Sequence, residues 1–102
     1  MRDVLSAIPH GHNEPLKRSS NKTQDRNERK EVEEANLSGD CIINVGVGWY
    51  RPVPGDVVDE KELNEYLAKE LSRARAILLK RMKMKEAFEK RKENQEELKL
   101  EA

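Results

Sequence analysis

Residues 41–56 read CIINVGVGWYRPVPGD. The alternation is that of a β-strand. Cys41, Ile43, Val45, Val47 and Trp49 fall on one face, and Ile42, Asn44, Gly46, Gly48 and Tyr50 on the other. Two glycines in a strand interior predict a bend, a bulge or the close approach of another backbone. Folding back through Gly46 or Gly48 as a tiny hairpin is one solution. Pro52 and Pro54 cannot donate to a central ladder, so residues 51–56 read as a proline-bent loop. Partners for the strand inside the chain are weak: MRDVLSAI at the amino terminus, and a stretch around Val53–Val58 broken by Pro54. An edge left unpaired is a template for another chain.

Downstream, from Asp56 to Ala102, there is neither proline nor glycine. Asp59 with Glu62 reads as a capping box, with Asp56 and Asp59 as an alternative frame. Leu63, Leu67, Leu71, Ala74, Leu78 and Met82 recur at helical spacing, widened by Tyr66, Ile77 and Phe88. The pattern predicts a helix over about residues 57–95. The apolar face gives way to Arg81, Lys85 and Lys92 on the same side. The half at 57–84 is therefore expected to pack on the β element, while the remainder projects. A heptad register through Leu67, Leu71, Ala74 and Leu78 breaks at Arg81 and Lys85, which disfavours a long coiled coil but leaves a short helix pair.

Upstream, residues 9–36 offer only Leu16, Val32 and Ala35 as apolar side chains besides the prolines. Burial on that scale cannot offset ordering entropy, so residues 1–36 read as a largely disordered, flexible arm. Within it, 23–35 has the makings of a short charged helix capped by Thr23. Residues 37–102 read as a small interaction domain. The predicted fold class is small α+β: a short β-strand or β-hairpin followed by one long carboxy-terminal helix.

Hydrophobic residues make up 35% of the chain and charged residues 39%. The apolar share is below that of an average globular chain and the charged share well above it. A chain of 102 residues so composed builds one small core at most. The formal net charge of +0 conceals blocks. Residues 56–70 carry six acids against Lys61 and Lys69; residues 72–92 carry nine Lys/Arg against Glu86 and Glu89; residues 93–102 carry four acids against Lys99. A single cysteine, Cys41, excludes an internal disulfide and fits a reducing compartment. No apolar run approaches the ~18 residues of a membrane span. A soluble, intracellular protein of host or viral origin is expected.

Catalytic machinery is sparse. His10-Gly11-His12 with Cys41 falls short of four ligands at zinc spacing. Cys41 is expected to be a buried, inert thiol. Gly46-Val47-Gly48 is neither a dinucleotide fingerprint nor a P-loop. The reading is no enzyme, no cofactor, no metal and no small-molecule substrate. Trp49, Tyr50 and Arg51 are residue types enriched at interface hot spots. Trp49 is expected in the core against Leu63 and Leu67, with Tyr50 and Arg51 facing outward. The predicted role is a non-catalytic interaction or regulatory protein, stabilised by a protein partner or its own copy. The candidate partner-binding residues are Val45, Val47, Trp49, Tyr50, Arg51, Leu67, Leu71 and Leu78. The alternative is a nucleic-acid-binding regulator laying Arg73, Lys80, Arg81, Lys83, Lys85 and Arg91 along phosphates.

Overall fold

The computed structural model describes residues 2–101, with side chains through residue 96. Five elements follow in order: α1 (Val4–Ala7), α2 (Lys22–Leu37), β1 (Ile43–Asn44), β2 (Trp49–Tyr50) and α3 (Val57–Glu101). The fold is small α+β, a two-stranded antiparallel hairpin followed by one long helix. The chain divides at Leu67 into two compact units, and α3 contributes to both.

The hairpin pairs Ile43 with Tyr50 and Asn44 with Trp49. Its turn closes with the Val45 N–H donating to the Gly48 carbonyl at 3.1 Å, and Gly46 sits at φ +91°. A two-residue turn with positive φ suits the twist of the flanking strands, and glycine adopts it without a Cβ clash. Gly48 answers a different demand. A Cβ there would lie 2.2 Å from the Leu16 carbonyl oxygen. The close approach expected of these glycines is thus made by the amino-terminal segment itself. Because the chain reverses at 45–48, alternation does not run through the whole stretch. Ile42, Ile43, Trp49 and Tyr50 are all buried, while Val47 at the turn is exposed.

The mate of β2 on its other side is the region expected to be a flexible arm. Leu16 and Trp49 exchange both backbone hydrogen bonds, at 2.8 and 2.9 Å. Arg51 donates to the Pro9 carbonyl and accepts from the Gly11 N–H, each at 2.8 Å. The core gathers Val4, Ile8, Val32, Ile42 and Trp49, with Leu5, Leu16 and Ala35 packed against it. Composition underrates residues 1–36 because Val4, Leu5, Ile8, Leu16, Val32 and Ala35 are all used in this core and because buried charges are paired. On α2, Asp25, Glu28 and Val32 point inward. Arg18 grips the Asp25 carboxylate at 2.6 and 2.9 Å, and Arg2 grips Glu28 at 2.9 and 3.0 Å. These forked contacts hold both carboxyls below their ordinary pKa, through hydrogen bonds from Arg18 and Arg2 respectively.

Caps set the helix ends. Asn21, not Thr23, caps α2, its side chain accepting the Gln24 N–H at 3.0 Å. Gly39 at φ +109° turns the chain out of that helix. At α3 the Asp56 and Asp59 frame is the one adopted. The Asp56 carboxylate accepts the Asp59 N–H at 3.0 Å, and its carbonyl accepts the Glu60 N–H at 3.0 Å. No helix among the described residues is long and apolar enough to cross a membrane.

Candidate interaction surface

Two regions carry the residues singled out in the sequence, and they differ in what their side chains already do. In the hairpin, Trp49 is buried as expected, but among Val4, Ile8, Val32 and Ile42. Leu67, its expected neighbour on the helix, is exposed. Tyr50 and Arg51 do not face outward. Tyr50 is fully buried and its hydroxyl donates to Glu62 at 3.2 Å. Burial, seconded by that carboxylate, pushes the phenol well above its ordinary pKa. Arg51 is half-buried, forks onto Asp40 at 3.0 and 3.1 Å, and donates to the Ile8 carbonyl at 2.7 Å. Aromatic and guanidinium groups that signal interface anchors therefore serve the molecule's own core. Alternation in a strand places Tyr50 outside only if one face meets water, and here both faces are covered.

The hairpin edge is also engaged. One side of β2 pairs with β1 and the other with residues 9–16. Beside β1, the Asn36 side chain accepts the Ile42 N–H at 2.8 Å and donates to its carbonyl at 3.0 Å. A side-chain amide thus occupies backbone groups that a partner strand would use. Val45 is half-buried and Val47 is 67% exposed. Cys41, expected inside, is exposed because its place precedes the strand pairing.

A polar cluster that sequence reasoning missed joins residue 12 to the start of α3. His12 Nδ1 lies 2.5 Å from Asp59 Oδ1 and 3.6 Å from Asp56 Oδ1. Asp59 is fully buried, and its Oδ2 accepts the Val53 N–H at 2.8 Å. Burial alone would raise the Asp59 carboxyl, but the Val53 amide and His12 outweigh it and hold the pKa below its ordinary value. In turn the Asp59 hydrogen bond, aided by the charge on Asp56, raises His12. Three ligand atoms here lie within 4.8 Å of one another. Each is already engaged: His12 by Asp59, Asp59 by the Val53 amide as well, and Asp56 by the Asp59 amide. The arrangement is a latch that fastens residue 12 to the capped helix end. No local signal foretells it, because 47 positions separate His12 from Asp59.

The second region is α3 beyond its first turns. The expectation that residues 57–84 pack on the hairpin fails for most of that length. Leu67, Leu71 and Leu78 are 53%, 52% and 56% exposed. Ile77, Met82, Met84 and Phe88 are exposed as well. Only Asp59 is buried, with Glu62, Leu63 and Tyr66 half-buried and Asp56 beside them at the cap. Arg73, Lys80, Arg81, Lys83, Lys85 and Arg91 are exposed along the same helix. Arg73 pairs with Glu70 at 3.3 Å and Lys83 with Glu86 at 4.0 Å, both open to solvent. Pairs of that kind contribute little.

No protein-family model, no curated protein and no solved structure matches the chain.

Proposed function

We propose that this chain is a non-catalytic interaction protein whose working surface is the apolar face of α3. The observation that carries the reading is the alignment of Leu67, Leu71, Leu78 and Met82, all more than half exposed, on one side of a continuous helix. Fully covering a leucine of this kind is worth roughly 1.5–3 kcal/mol. A partner that supplied the missing cover would gain that energy at several positions. The hairpin supports the helix rather than recruiting a partner strand, since β2 is paired on both sides, Asn36 occupies the Ile42 backbone, and Trp49, Tyr50 and Arg51 are engaged internally.

Molar mass in solution, read with the 260/280 nm absorbance ratio, tests the reading. Association that survives high salt and is lost in Leu71→Asp/Leu78→Asp supports it. Association only with nucleic acid overturns it, if that binding falls steeply with salt and is abolished by Lys80→Glu, Arg81→Glu and Lys83→Glu.

A further inference from the structure

The geometry points to a second copy of this chain as the partner, docked antiparallel on the 60–85 face of α3 with the two-fold axis between Ser72 and Arg73. The inference rests on the reading of α3 as an interaction surface and names what covers it. Leu67, Leu71, Ala74 and Leu78 follow the 4, 3, 4 spacing of a helix-pair seam. Turning one copy end for end about residues 72 and 73 brings Leu71 level with Ala74 of the other copy. Leu67 then comes level with Leu78. These are the four central layers, and the short Ala74 side chain beside the axis lets the helices approach closely.

The next seam positions outward are the ones that break the heptad in a single helix. Asn64 comes level with Arg81, and Glu60 with Lys85. In one chain, Arg81 and Lys85 interrupt an apolar face. Across this axis they meet an amide and a carboxylate. The apolar centre is thereby closed at both ends by polar layers, which fix register and direction. Block by block, the acidic 56–70 segment of each copy runs alongside the basic 72–92 segment of the other, which favours the antiparallel sense. Parallel pairing would instead stack acid on acid and base on base. A two-fold interface requires that if one residue meets another, the second meets the first. Self-complementarity of this kind is what a foreign partner would not need and a second copy does.

Charge exchange on exposed positions tests this without touching the core. Asn64, Arg81 and Lys85 are exposed, as is Glu60 with its 3.2 Å contact to the Gly55 N–H. The full chain is expected to be a dimer in sedimentation equilibrium. The variant Glu60→Lys/Asn64→Lys and the variant Arg81→Glu/Lys85→Glu are each expected to dimerise at least tenfold more weakly, with unchanged helicity by circular dichroism. Mixed in equal amounts, they are expected to return to a dimer containing one of each.

Register is read by disulfides in a Cys41→Ser background. Leu67→Cys mixed with Leu78→Cys is expected to give the mixed disulfide, and Leu67→Cys alone no dimer band. Several outcomes overturn the inference: a Leu67 self-disulfide, charge variants that dimerise like the parent, or a chain that stays monomeric at every accessible concentration. A monomer that still binds another protein, with binding lost in Leu71→Asp/Leu78→Asp, sinks the second copy but leaves the interaction surface standing. A monomer whose binding to every probe is indifferent to those two substitutions overturns both.

Discussion

Residues 9–36 and residues 68–96 make opposite use of their composition. The first stretch has Leu16, Val32 and Ala35 as its apolar side chains apart from prolines, and all three lie in or against the core. The second has Leu71, Ile77, Leu78, Leu79, Met82, Met84 and Phe88, and all are exposed. Burial follows what a segment can reach, not how apolar it is. The amino-terminal segment returns to the hairpin through Pro9, Gly11 and Leu16 backbone bonds and anchors its charges on Arg2 and Arg18. The named helix residues stay open to solvent.

The contrast is most directly broken where the returning segment touches the hairpin. Gly48→Ala places a methyl group 2.2 Å from the Leu16 carbonyl oxygen. The expected loss is on the order of 3 kcal/mol, as when extra volume forces packed backbone apart. Urea unfolding followed by Trp49 fluorescence measures it. A neutral outcome would mean that residues 9–16 do not lie against β2.

Next comes the claim that paired charges hold the amino-terminal region. Arg18→Met leaves the nearly buried Asp25 with only the longer contact to Arg29 at 3.3 Å. A loss of about 1–2 kcal/mol is expected for an under-satisfied carboxylate. Arg18→Met/Asp25→Leu should recover part of it, because the desolvated charge is gone. If the double variant is no better than the single one, the pair is a surface ornament and the region is held by other contacts.

The latch adds a pH dependence smaller than either. His12 is raised from 6.5, so its stabilisation is complete below about that pH and fades as pH climbs through the higher folded value. Asp59 is lowered from 3.8, so its share is complete above about that pH and fades as pH falls through the lower folded value. Together they favour the folded state most between about pH 4 and 6.5. Thermal midpoints should therefore decline from pH 6 toward 9 in the parent and stay flatter in His12→Asn. Equal slopes in the two proteins would contradict the latch.

The smallest effect belongs to the helix. Leu79→Ala, at an exposed position, should change the unfolding free energy by no more than about 0.5 kcal/mol. A large loss at a concentration where the chain is monomeric would show that α3 has cover within one chain.

Much of this was legible in the residues themselves. Gly46 and Gly48 marked the reversal and the close approach, though not that Leu16 makes it. The leucine spacing announced α3, and its start follows the alternative Asp56 and Asp59 frame rather than the Asp59 and Glu62 box. Residues 67, 71 and 78 were readable as one face, and the structure leaves that face open. What was not legible depended on distant partners. Tyr50 looked like an outward anchor, but it is fully buried with its hydroxyl on Glu62. Arg51 looked free until Asp40 and the Ile8 carbonyl claimed its guanidinium.

The division has a physical basis. Periodicity, caps and turns are properties of neighbours a few residues apart, so the order of α2, the hairpin and α3 is written locally. The core of the amino-terminal unit is assembled by contacts of long separation: Arg2 with Glu28, Ile8 with Arg51 and His12 with Asp59. Nothing in a window of sequence encodes those meetings. Only the tertiary structure decided that apolar side chains of the charged, apolar-poor arm lie in the core and that the leucines at 67, 71 and 78 stay exposed.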